Sequence, residues 1–183
     1  MTISHPVGWD AAFSELYAAA WPRLIRTTYA VTGDLASAED ALQTAFAAAY
    51  KSWRRVSTAD DPFAYVRRIA VNSAISHHRR AHVKRERPTD QLPDAPAPCW
   101  VGNAFDRGEM WAAVQQLAPR QRAVVVLRYY EGLSEREIAD ALGCRPGTVK
   151  SQASAALAHL RTRLTAEGSG PLSSLRPVSN AAT

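Results

Sequence analysis

Lys150 and Gln152 rise from a run of small residues, CRPGTVKSQASAAL at 144–157. With Arg145, Thr148 and Ser151 they form a polar set at the start of a helix-forming stretch. A lysine there attracts phosphate, and a glutamine amide donates and accepts against a base edge. Small neighbours let a helix backbone approach a groove, and the helix N-terminus itself favours phosphate. An αα-hairpin packed on a protein partner uses the same spacing, so spacing alone leaves both readings open.

A second constellation is basic. Residues 67–87 hold Arg67, Arg68, Arg79, Arg80, Lys84, Arg85 and Arg87 against Glu86 alone, with His77, His78 and His82 among them. Trp53, Phe63 and Tyr65 lie just upstream. Basic side chains track phosphates and exposed rings stack on unpaired bases, a pairing suited to single-stranded nucleic acid. For the three aromatics singly, core packing is the stronger expectation; for Arg79 and Arg80 it is phosphate contact.

A third set is acidic. Glu39, Asp40 and Gln43 share a helix whose periodicity buries Leu42 and Phe46. DNA repels carboxylates, so a basic protein surface fits this face better. Charge at a helix start stabilised by the macrodipole explains it equally well.

No pattern of enzyme chemistry is present. There is no Gly-rich phosphate loop, no nucleophile elbow and no metal-spaced His/Cys cluster. Neither a catalytic residue, a cofactor nor a metal site is expected. Cys99 and Cys144 are too few for a disulfide framework or a structural zinc site, and a reducing cytoplasm is the expected compartment. The start, MTISHPVGWD, lacks the pattern of a signal peptide, and no apolar run reaches the ~20 residues of a membrane span, so no membrane insertion is expected.

The elements that must position these sets are all helical. Phe13, Leu16, Tyr17, Ala20, Leu24 and Tyr29 give one stripe, which Gly33–Asp34 interrupts. SAED at 37–40 predicts a capped start for the next helix, and Asp61–Pro62 opens a third. Met110, Trp111, Val114 and Leu117 give a short helix, and Pro119 starts another that ends at Glu131–Gly132. Ser134 to Glu137 spell a capping box, and Gly143 stops the helix it starts. Pro146 begins the last helix, with Val149, Ala153, Ala156, Leu157, Leu160 and Leu164 inward. Helix, glycine turn and helix predict a helix-turn-helix.

The 183 residues are 46% hydrophobic with a formal net charge of +5, which suits one medium or two small globular units with an anionic partner. Four prolines in 88–103 mark a break. The expected fold is all-α: two small helical domains, 10–87 and 106–165, joined by a Pro-rich flexible linker at 88–105, with a disordered tail at 166–183.

Together these pieces resemble a bacterial RNA polymerase sigma factor of the extracytoplasmic-function group, over roughly residues 10–165. AEDALQTAF at 38–46 is similar to the family's polymerase-binding segment. YVRRIAVNSAISHHRR at 65–80 is similar to its promoter-melting, minus-10-reading segment. LAPRQRAVVVLRYYEGLSEREIADALGCRPGTVKSQ at 117–152 is similar to its minus-35-reading segment, and the variant strings resemble an actinobacterial SigE-like subgroup.

The resemblance implies that Glu39, Asp40, Gln43 and Phe46 face the clamp helices of the largest subunit of core RNA polymerase. The second domain would meet the flap of the second-largest subunit. Tyr65, Asn72, His77 and His78 would meet single-stranded promoter DNA, with Arg67, Arg68, Arg79 and Arg80 along its backbone. Arg145, Thr148, Lys150, Ser151 and Gln152 would meet the minus-35 duplex. An anti-sigma factor is the further partner such proteins commonly have. Ala155 stands where the family usually has a basic residue, and Gln152 where Arg is commoner. The implied function is transcription initiation by promoter recognition and assisted strand opening, without catalysis. The rival is a stand-alone helix-turn-helix regulator, which leaves 38–46 and 65–80 without a role.

Overall fold

The computed structural model describes residues 8–85 and 109–166, with side chains described to His77 in the first stretch and Thr165 in the second. The expected linker and tail lie outside these residues, apart from Ala166 at the end of the last helix.

Eight helices account for the described elements: α1 Trp9–Thr32, α2 Leu35–Lys51, α3 Trp53–Ser57, α4 Pro62–Arg85, α5 Glu109–Gln115, α6 Pro119–Val125, α7 Glu135–Leu142 and α8 Pro146–Ala166. A π-helical turn, Val126–Tyr130, prolongs α6. The described residues are thus all-α.

Local signals set most boundaries. Gly33 ends α1 in the left-handed region, φ 89°, and its N–H donates to Tyr29 O. Asp34 then caps α2, its Oδ1 accepting from the Ser37 N–H at 2.8 Å. This corrects the start expected at Ser37. The strong cap sits three residues earlier, because the chain turns straight from Gly33 into the new helix. Asp61 Oδ1 accepts from the Ala64 N–H at 2.9 Å and opens α4 at Pro62. The short helix α3 was not expected as a separate element.

Helices α1, α2 and α4 pack against one another pairwise. Ala38, Ala41, Ala45 and Ala49 on α2 are fully buried, and their small side chains bring the neighbouring backbones close. Leu24, Leu42, Phe46, Trp53, Val56, Val66 and Ala70 fill the remaining space. The buried Thr28 and Thr32 hydroxyls donate back to Leu24 O and Thr28 O at 2.8 and 3.0 Å, so no hydroxyl hydrogen is stranded there.

Helices α5 to α8 build the second unit around Val114, Leu127, Ile138, Val149, Ala156 and Leu160. This cluster does not stop at the unit's edge. It includes Ala30 and Val31 of α1, Ala41 of α2, and Val71 and Ala74 of α4. The two helical units share an apolar layer, with α7 and α6 laid on α4 and α6 also on α1.

Candidate nucleic-acid interface

The helix-turn-helix is built on a complete capping box. The Glu137 N–H donates to Ser134 Oγ, and the Ser134 N–H donates to Glu137 Oε2 at 2.8 Å. The Ser134 hydroxyl also donates to Glu137 Oε2 at 2.6 Å, and this bond, followed by that from the Ser134 N–H, holds the Glu137 carboxyl below its ordinary pKa. Gly143, φ 61°, ends α7, and the Cys144 N–H returns to Ala139 O at 3.0 Å. Pro146 restarts the chain as α8.

Val149, Ala153, Ala156 and Leu160 face inward on α8. Arg145, Lys150 and Ser151 are exposed, while Thr148 and Gln152 are half-buried at the edge of the same face. The Ser151 hydroxyl donates to Thr148 O at 2.9 Å, which leaves its oxygen free only as an acceptor. Ser154 and Ala155 are exposed and add little bulk. The face is therefore low, cationic and aligned with a helix N-terminus, the shape a major groove admits.

The second site is on α4. An open groove of about 720 Å³ is lined by Thr44, Arg55, Tyr65, Arg68, Asn72 and His77, among others. It has two guanidinium groups, a phenol, an imidazole and a carboxamide around a volume that would hold a nucleobase. Both Asn72 amide hydrogens are committed: one to Arg68 O at 2.6 Å, the other across the units to Ala141 O at 2.7 Å. Arg68 is exposed, with its guanidinium beside Gly143. His78, Arg79 and Arg80 continue α4, and their side chains lie outside those described.

Two expected contact residues are buried. Arg67 is only 7% exposed, with its guanidinium 5.5 Å from the Phe63 ring centroid and near Glu137 of α7. In this arrangement it does not lie along an open DNA track, because α7 covers it. Phe46 is 4% exposed beneath Phe13, Tyr17 and Trp21, at ring separations of 4.6 to 6.2 Å. Its periodicity correctly marks it as core. It holds α2 in place, and of the expected docking set on that helix Glu39, Asp40 and Gln43 are exposed.

Comparison with known proteins decides the family. The family description "Sigma-70 region 2" matches residues 16–83, and "Sigma-70, region 4" matches 107–160. The RNA polymerase sigma-E factor of Streptomyces antibioticus is 40% identical over 152 residues, spanning 83% of this chain and 84% of that protein. The ECF RNA polymerase sigma factor SigL of Mycobacterium tuberculosis is 34% identical over 158 residues, 84% of this chain and 87% of its own. The chain belongs to the extracytoplasmic-function sigma factors. It stands close to the actinobacterial SigE and SigL proteins. Its fold is also similar to the sigma factor RpoE crystallised with the anti-sigma factor NepR from Bartonella quintana. That match has TM-score 0.66 and 22% identity, over 84% of this chain and 97% of that one.

In this sigma factor α1 to α4 make up region 2 and α5 to α8 region 4. Among the described residues no helix is long and apolar enough to cross a membrane. Sequence reasoning missed the residues that join the regions. Arg122, 2% exposed, donates to Val31 O at 3.0 Å and to Thr32 O at 3.5 Å at the end of α1. It also donates to Gln115 O and Leu117 O of its own region. Burial pulls its pKa down to about 10, which leaves it charged at neutral pH. Gln115 donates to Ala30 O at 3.3 Å. Glu131 accepts from the Thr27 hydroxyl and from Arg23 Nη2 at 3.4 Å, and Trp111 stacks on Tyr29 at 5.6 Å. One signal was available: Arg122, Val125, Val126 and Tyr129 follow i, i+3, i+4, i+7, which puts a cation on an inward stripe.

Proposed function

We propose a division of labour among three surfaces of this sigma factor. The exposed α2 face, Glu39, Asp40 and Gln43, docks on the clamp helices of core RNA polymerase, with Phe46 bracing the helix from within. The α4 groove takes single-stranded promoter DNA at minus 10 through Tyr65, Arg68, Asn72 and His77. His78, Arg79, Arg80 and Arg67, the last once uncovered, follow its backbone. The N-terminal half of α8, Arg145, Thr148, Lys150, Ser151 and Gln152, reads the minus-35 duplex, and region 4 meets the flap of the second-largest subunit.

One observation carries this reading. A cationic, low-relief helix face follows a capping box and a left-handed glycine turn, on the chain that also carries the α4 groove. Strand opening is driven by binding, because a base lost from its stack is compensated by a pocket and a basic track. The protein works in the cytoplasm, and an anti-sigma factor restrains it, a proposal prompted by the RpoE–NepR structure.

Run-off transcription with core polymerase on fragmented genomic DNA tests the proposal. Defined start sites sharing two spaced sequence elements are expected. A chain that yields no transcript at any site overturns it.

A further inference from the structure

The outward face of α8 has a centre line. Ser151 and Ala155 are one helical turn apart, so their side chains stand one above the other, opposite the buried Val149, Ala153, Ala156 and Leu160. Both are exposed. By the same periodicity Lys150 and Ser154 flank the line on one side, and Thr148 and Gln152 on the other. In a major groove the flanking side chains reach sideways, and Ser151 and Ala155 are the residues presented to the groove floor.

The chemistry open to each is narrow. The Ser151 hydroxyl already donates to Thr148 O at 2.9 Å, so toward DNA its oxygen can only accept. The major-groove groups that donate to it are the exocyclic amines, adenine N6 and cytosine N4. Ala155 carries neither donor nor acceptor. Against a polar base edge its methyl displaces water and returns no hydrogen bond. Against the C5-methyl of thymine it buries apolar surface on both partners. Cβ atoms one turn apart on a helix are about 5–6 Å from each other, close to two base-pair steps of about 3.4 Å.

We propose that Ala155 is a specificity-determining residue of the minus-35 contact: its methyl packs on a thymine C5-methyl, about two pairs from the adenine or cytosine whose amine Ser151 accepts. This rests on the assignment of the N-terminal half of α8 to the promoter duplex, and adds which base edges the helix selects. Ala158 is exposed on the same side, but about 10 Å beyond Ser151 along the axis at about 1.5 Å per residue. Base contacts belong to the start of a reading helix, so the methyl contact falls to Ala155.

The test uses holoenzyme assembled from core polymerase and the full chain, on a promoter duplex found by run-off transcription. Each thymine of the minus-35 element is replaced in turn by deoxyuridine, which removes the C5-methyl and leaves the hydrogen-bonding edge unchanged. Competition against the unmodified duplex in a gel-shift assay reads relative affinity. One thymine should stand out, its replacement weakening binding about fourfold, the effect of burying about one methyl-sized group. In Ala155→Gly the two duplexes should bind alike. Ala155→Ser, which keeps more helix propensity than glycine, should bind both within about twofold of each other. Lys150→Ala should weaken both and preserve their ratio. At the pair about two steps away, adenine or cytosine should be preferred to guanine or thymine on the strand Ser151 faces, and Ser151→Ala should lose that preference.

A holoenzyme that selects the minus-35 element yet treats every uracil duplex like its thymine counterpart overturns the methyl contact. So does a uracil penalty that survives in both Ala155 variants. A neighbouring preference that Ser151→Ala leaves intact overturns the amine contact. A holoenzyme with no selectivity at minus 35 overturns the assignment of α8 itself, so the two failures are told apart.

Discussion

In the proposed duplex contact, side chains on α8 would act by two different physical routes. Lys150 is an exposed point charge suited to phosphate, whereas Gln152 offers a directional amide at the edge of the face. Lys150→Ala should weaken binding to every duplex similarly and lower the salt slope of log K by about one unit. Gln152→Ala should cost about 1–3 kcal/mol at one base position and leave the slope alone. Titrating a promoter duplex and its single-position variants by fluorescence anisotropy at several salt concentrations separates the two. If both variants bind like the parent, α8 is not the reading helix. On α2, Asp40→Arg reverses an exposed charge without touching the core. It should abolish association with core polymerase in gel filtration while the thermal midpoint holds.

The helix-turn-helix depends on how α7 begins. Ser134→Ala removes a cap that accepts from the N3 backbone, and region 4 should lose about 1 kcal/mol in thermal or urea unfolding. The paired Glu137 carboxyl has a depressed pKa, because Ser134 hydrogen bonds favour its charged form. A depressed acid binds fewer protons folded than unfolded. Its contribution is therefore complete above its ordinary value of 4.5 and is lost as pH falls through the lower folded value. Urea midpoints taken between pH 6 and pH 3 should fall less steeply in Glu137→Gln than in the parent. The elements themselves were mostly legible in the sequence. Ser134, Gly143, Pro146 and Asp61 each act within a few residues of the boundary they set. The start of α2 was misplaced because Asp34 and Ser37 are both competent caps, and only the turn at Gly33 chooses between them. The π-helical turn at Val126–Tyr130 left no mark in the residue pattern.

At the scale of the whole molecule, all-helical architecture and a two-region organisation could be read from the sequence. The seam between regions could not. Residues such as Val71, Ala74, Leu117 and Val124 look like ordinary core positions, and nothing in their type says which region supplies the opposite wall. The burial of Arg67 was missed for the same reason. A basic side chain on a basic helix suggests DNA, and only the placement of α7 shows it covered.

Three polar links across the seam, from Arg122, Gln115 and Asn72, end on main-chain oxygens of residues 31, 32, 30 and 141. Substitution cannot delete a peptide carbonyl. Sequence drift at Ala30, Val31, Thr32 or Ala141 therefore leaves those acceptors standing as long as the helices keep their path. A chimaera joining this N-terminal half to the C-terminal half of a paralogue should keep the seam wherever the incoming half keeps counterparts of Arg122 and Gln115. The Glu131 link, by contrast, needs matching side chains on both halves.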